Sequence, residues 1–302
     1  MPFATGARHG LSYVAESTYG TTPGSPSMLA LRHTSSSLQL NKDNFVSNEI
    51  RNDRQIEDMR HGTKQVGGDI GIELSYGAFD DILESALFGS WATDVLKAGT
   101  AVKSFTMERQ FGDIGQYEVF TGCLANTFSL SISPNAMVTG TIGIMGKDAT
   151  LSGTSLGAPG AAASNPPFDG FSGTLSEGGS AIANVSALEL TLDNGITPAF
   201  VIGSDVTPQM IAGRSNLTGT LTAYFEDLAL LNKFIDETES SLELTLEGAS
   251  GGDLTITIPR IKYTGGQNPV NSAEEAIPLT MPFQALRSSS DGTNLILTRT
   301  PA

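Results

Sequence analysis

The residues of this chain whose chemistry could be catalytic or metal-binding are few: three histidines, one cysteine and some clustered carboxylates. His9, His33 and His61 have no cysteine or histidine partner at ligand spacing, so they read neither as zinc ligands nor as a catalytic base. Cys123 lies in a strand-like segment, Phe120-Thr121-Gly122-Cys123-Leu124, and reads as a small buried apolar side chain rather than a nucleophile. Asp80 and Asp81 are adjacent; neighbours on a helix diverge, so the pair suits a helix start, where the dipole favours negative charge, better than acid–base work. Asp193-Asn194-Gly195 lacks the further carboxylates of a calcium loop and reads as a turn. Gly67-Gly68 and Gly251-Gly252 border strands, where turns account for them. No phosphate loop, dinucleotide fingerprint or nucleophile elbow is present. The sequence therefore assigns no catalytic, cofactor-binding or metal residues, and the chain reads as a non-enzyme.

The elements around these residues are mostly strands. Ile70, Ile72 and Leu74 share one face of a period-two pattern, as do Phe128, Leu130 and Ile132, then Leu242, Leu244 and Leu246, then Leu254, Ile256 and Ile258. Residues 277–286 are apolar but interrupted by Pro278 and Pro282, which places them on an edge or bent strand. Two helices are expected, over 79–88 with a stripe of Ile82, Leu83, Ala86 and Leu87, and over 225–234 with a stripe of Leu228, Leu231 and Ile235. The order strand, long polar loop, strand, helix occurs twice, at 38–88 and 188–234, a shift of about 150 residues that reads as an internal repeat. The fold class is thus mainly β: two tandem, similar β-sandwich or barrel domains, each with one flanking α-helix and a long interface loop. The divisions are an N-terminal arm (1–37), a first domain (38–150), a Gly/Ala/Ser/Pro linker (151–167) and a second domain (168–302).

Composition bounds what such a protein does. Charged residues make up only 16% of the chain, against about a quarter in soluble proteins, which points to surface hidden by self-assembly. The net charge of −15 argues against stable nucleic-acid binding, although an acidic wall would let DNA pass without sticking. One cysteine forbids an intrachain disulfide, the start carries no secretory signal, and no stretch approaches the ~18 apolar residues of a membrane helix. The loop around 44–65 is the most charged segment, mixing Arg51, Arg54, Glu57, Asp58, Arg60 and Lys64 with the apolar Ile50, Ile56 and Met59. Its length and mixed charge suit an arm that pairs with a neighbouring subunit. The N-terminal residues Tyr13 and Tyr19 are further interface candidates.

Three segments resemble siphophage major tail tube proteins: Tyr13-Val-Ala-Glu16 with Tyr19-Gly-Thr-Thr-Pro23; Gly122 to Ser133 leading to Gly140-Thr-Ile-Gly-Ile-Met-Gly146; and Gly219-Thr-Leu-Thr-Ala-Tyr-Phe-Glu-Asp227. The resemblance implies a virion protein assembled in the host cytoplasm, whose inner sheets close into a channel and whose rings stack into a tube for genome ejection. It implies as partners other copies of the chain, the tape measure protein, and the tail terminator and distal tail proteins, with DNA transiting the lumen and no membrane involved. The repeat adds that three chains would build a pseudo-hexameric ring; six chains with the second domain outside is the alternative. Asp69, Glu73, Glu118 and Glu189 are candidates to line the lumen. Deleting 51–64 is expected to leave a folded monomer that does not polymerise. A capsid decoration protein or a tail-fibre adhesion domain is the competing reading; the latter would need exposed aromatic residues, whereas the single tryptophan, Trp91, follows a helix end where packing suits it.

Overall fold

The computed structural model describes residues 3–249, 251–270 and 272–301. The protein is mainly β, with large antiparallel sheets and two short α-helices. In the first half, one sheet joins His9–Ala15, Phe105–Phe111, the start of Gln116–Ile132 and Asp148–Ser152. The other joins Gln39–Val46, Met59–Glu73, Thr139–Gly146 and the end of Gln116–Ile132. The long strand Gln116–Ile132 therefore belongs to both sheets. It turns the corner at Gly122, whose φ of 65° suits glycine and where a Cβ would meet Tyr19 and the Lys147 side chain within 3.0 Å. Ile70, Ile72, Ile142, Phe105, Met107, Phe120 and Cys123 fill the space between the sheets.

The second half repeats these pairings strand for strand. Thr174–Glu177, Ser240–Leu246, Asp253–Tyr263 and Ile296–Thr300 form one sheet. Val185–Asp193, Asn216–Tyr224, Pro278–Ala285 and the end of Asp253–Tyr263 form the other. Irregularities repeat too. Phe105 opposes Cys123 and the register slips before Met107 meets Phe120; Ser240 opposes Ile261 and the register slips before Leu242 meets Ile258. Gly68 and Gly219 occupy matching positions, where a Cβ would lie 2.5 Å from the Ser37 carbonyl oxygen and 2.6 Å from that of Glu189.

The halves are joined edge to edge. Leu188–Asp193 pairs antiparallel with Thr127–Ile132, so the sheet that begins at Gln39–Val46, which we call the inner sheet, runs unbroken through both halves. Ile296–Thr298 adds a second junction against Val95–Lys97. Arg299 bridges the same seam, contacting Asp80 and the Thr93 carbonyl and stacking 4.1 Å over the Trp91 ring.

Three sequence expectations change. The polar loop after Leu40 is a β-hairpin: Gln39–Val46 and Met59–Gly67 are paired, and being polar on both faces they gave no alternation to read. The second helix covers Ala229–Ile235 and buries Leu230, leaving Leu228 and Ile235 exposed. The Asp227 carboxylate accepts the Ala229 N–H at 2.8 Å at the start of this helix, and of the expected stripe Leu231 is the residue that packs against the core. Pro278–Ala285 is an interior strand, flanked by Asn216–Tyr224 and Ile261–Tyr263. Pro282 is tolerated there because its carbonyl still accepts the Thr264 N–H at 2.8 Å, just where that neighbouring strand ends. The N-terminal division includes a full sheet strand, His9–Ala15, and the segment 151–167 touches the first half, with Glu108 accepting hydrogen bonds from Ser155 and Leu156.

Candidate assembly surfaces

Two hairpin arms leave the inner sheet at matching positions, one after Leu40 and one after Leu192. The first arm carries the charged cluster. At its tip Arg51 forms a fork with Asp53, 3.0 Å from Nε to Oδ1 and 3.0 Å from Nη2 to Oδ2, and also pairs with Glu57. Arg54 sits in the turn with φ of 62°. The Asp58 carbonyl oxygen accepts the Ser47 N–H at 2.9 Å, and Arg60 lies opposite Phe45 in the hairpin. Exposed pairs of this kind contribute little to stability, because water screens them. The arm's apolar residues are uncovered: Ile50 is fully exposed, and Ile56, Phe45 and Met59 are 72%, 62% and 50% exposed.

The second arm is docked. Ile196 and Met210 close a small cluster with Phe88 and Leu124 of the first half and are 4% and 6% exposed. The buried Asn194 side chain donates to the carbonyl oxygens of Ala86 at 2.9 Å and Ala125 at 3.1 Å. Near the tip, the Lys64 N–H donates to the Asp205 carbonyl oxygen at 2.8 Å, and Lys64 Nζ lies 3.4 Å from the Asp205 carboxylate. Of the first-arm candidates, Lys64 is thus the one that the second arm engages within the chain.

The N-terminal tyrosines are used internally. Tyr13 is 5% exposed and its hydroxyl donates to Asp81 at 3.1 Å; burial first, then the Asp81 charge, raises its pKa. Tyr19 packs against the Phe88–Leu124 cluster. Glu16 holds this segment in place by accepting from Gly20 N–H, Ser104, Thr106 and Gly122 N–H at 2.7–2.9 Å.

The face of the inner sheet away from the core is polar in continuous cross-strand rows. Glu73, Thr139, Ser131, Glu189 and Thr220 form one, and Asp69, Gly143, Thr127, Asp193 and Asn216 another. Asp69, Glu73 and Glu189 therefore share a surface. Glu118 belongs to the other sheet, where it pairs with Arg109 at 3.2 Å. The Thr and Ser rows and Asp193 were missed as candidates because hydroxyl side chains carry no functional signal singly; only their registration across strands makes a surface.

The remaining chemistry is structural. Burial pushes the Cys123 thiol up, away from a thiolate. His9 and His33 do meet, 2.8 Å apart, which their separation in sequence did not indicate. Among the described residues no group of three His, Cys, Asp or Glu side chains is placed to hold a metal ion, and no helix is long and apolar enough to cross a membrane.

A mainly β body with strand edges and a projecting hairpin arm has the features of a protein built for assembly. The family described as Phage tail tube protein matches residues 6–285, so this chain belongs to the phage tail tube protein family. It is a structural component of the virion tail, which self-assembles into a tube and contacts other tail proteins. No curated protein is matched by the chain.

Proposed function

We propose that three copies of this chain form a pseudo-hexameric ring, and that stacked rings form the channel through which the genome is ejected. The observation that carries this reading is the seam between the halves, where the strand at 188–193 extends the inner sheet of the first half. A second half that sat outside the ring would pack against the outer sheet rather than lengthen the inner one, which speaks against six chains per ring. The repeat supplies the same edges at both ends of the chain: the outer edge of the strand at 36–41, and the stretch after Tyr263, which is paired on its other side through Gln267 and Thr280. Pairing these between copies closes a barrel and removes both free edges. The polar rows then face the lumen, with Asp69, Glu73 and Glu189 repelling phosphate and the Thr and Ser hydroxyls giving a wall that hydrates well. The tape measure protein occupies this lumen before DNA, the terminator and distal tail proteins contact the ring faces, and assembly takes place in the host cytoplasm.

Negative-stain electron microscopy with mass measurement of the smallest ring tests the proposal. Three chains per ring with a central channel is the expected result; six chains overturns the pseudo-hexamer. Residues 59–64 lie within a strand of the inner sheet, so the arm is better tested by shortening its tip, Glu49–Glu57, than by deleting 51–64.

A further inference from the structure

The docked second arm supplies a guide for where the exposed first arm binds. The inference rests on the ring reading above and names the contact that holds one copy to the next. Matching positions follow from sheet registers and helix caps. Leu40 opposes Val66 as Leu192 opposes Leu217, so Lys42 and Asn44 on the first arm stand where Asn194 and Ile196 stand on the second. Leu124 opposes Met145 as Lys262 opposes Gln284. Phe88 follows the first helix in the left-handed conformation, φ 50°, as Glu237 follows the second, φ 53°, and each donates its N–H to the carbonyl three residues back.

These substitutions are concerted. In the contact within the chain, an apolar arm residue, Ile196, meets an apolar socket, Phe88 and Leu124. At the matching contact between chains the arm offers Lys42 and Asn44, and the socket offers Glu237 and Lys262. Arm and socket changed character together, from apolar to polar. Lys42 and Glu237 are exposed and Lys262 is half-buried, and among the described residues none of the three makes an ion pair. Asn194 donates to the Ala86 carbonyl near the first helix's C-terminus; a lysine ammonium at the end of the second helix would meet its carbonyls, the negative end of its dipole and the Glu237 carboxylate.

We propose that the first arm of each copy seats over the end of the second helix of the next copy, with Lys42 against Glu237 and Asn44 beside Lys262. The partner is a second copy of this chain. The exposed Ile235 of the second helix and Met59 of the arm, the counterpart of the docked Met210, supply apolar contact beside the ion pair.

Charge reversal tests this on the full-length protein. K42E and E237K should each raise the concentration needed for tube formation about tenfold or more, because like charges then face one another at every interface. The double variant K42E/E237K should recover assembly. In K42C/E237C tubes an oxidant should form a disulfide between copies, giving a covalent ladder that ends at three chains on a non-reducing gel; Cys123 is fully buried and does not compete. Circular dichroism of each monomer checks that it is folded. Wild-type tubes that persist unchanged in both single reversals, with no cross-link in the cysteine pair, overturn the docking and leave the tube reading intact. A ladder that runs past three overturns the three-chain ring while upholding the contact. Wild-type protein that never assembles, even with the other tail proteins, overturns both.

Discussion

The two arms leave the inner sheet at matching positions, and they span nearly equal lengths, Leu40 to Val66 and Leu192 to Leu217. One lies against the body of its own chain; the other touches the chain at its base, through Lys64, and its tip is exposed. The docked arm is anchored by buried Ile196 and Met210, whereas the free arm has Asn44 and exposed Met59 at those positions. A contact made once, during folding, can be apolar throughout. A contact that waits for a second copy must keep its surfaces hydrated until the partner arrives, because a large exposed apolar patch invites wrong association. The difference between the arms is the difference between folding and assembly, written on two copies of one element.

Breaking the docked arm should have the largest effect. Ile196→Ala with Met210→Ala removes most of the cluster against Phe88 and Leu124 and should cost about 3–5 kcal/mol, using typical values for buried truncations. Urea unfolding followed by circular dichroism would show it, with the halves separating into two transitions. The matching pair on the free arm, Asn44→Ala with Met59→Ala, should change monomer stability by less than about 0.5 kcal/mol and instead impair tube growth. Equal losses of stability in the two double variants would end the distinction.

Much of this arrangement was legible in the sequence, and what was hidden has a physical reason. The strands around Ile70–Leu74 and Leu242–Leu246 bury one face each, so their alternation announced them. The first helix buried its whole expected stripe. The repeat was visible as an order of elements but not as residues, because the shared features are pairings, register slips and glycines rather than identical side chains. The arms read as loops because neither face of a free hairpin is buried. Nothing in the residues of 188–193 distinguishes a strand that pairs within its own half from one that also pairs with the other, and so the seam was invisible. Glu118 read as a surface candidate although Arg109 pairs with it across the hairpin, and Tyr13 did so although its partner, Asp81, comes from a distant segment.

A smaller effect sharpens the comparison through the buried polar anchor. Asn194→Ala leaves the Ala86 and Ala125 carbonyls without that donor and should cost about 1–3 kcal/mol, read from the thermal midpoint of the monomer. Lys42→Ala, the matching change on the free arm, should leave the midpoint in place. The glycines make the complementary point that the sheets are alike where the arms differ. Gly68→Ala and Gly219→Ala each force a methyl group against the neighbouring strand's backbone, and both should lower stability by about 1–3 kcal/mol. A loss confined to one of them would show that the matching strands are packed differently.

The smallest expected effect is a pH dependence that only one half should show. All three histidines lie in the first half, and His9 is the one whose pKa is lowered, by burial first and then by the charges of His33 and Arg109. Phe111 packs on its ring, Arg109 Nε donates to its Nε2 at 3.2 Å, and Glu118 is the nearby carboxylate, bound to Arg109. A histidine held neutral in the fold takes up its proton more readily when unfolded. Stability from this site is therefore complete above the ordinary histidine value of 6.5 and is lost as pH falls from there through the lowered folded value. Hydrogen exchange should accordingly quicken in the strand His9–Ala15 as pH is brought from 7 towards 5, after correction for the intrinsic rate, while Thr174–Glu177, its counterpart in the second half, should not respond. In His9→Gln the acid response should shrink, because the remaining His33 no longer faces a second imidazole. If both strands loosen together, or if the variant behaves as the wild type does, the acid response belongs to the carboxylates of the whole protein and not to this pair.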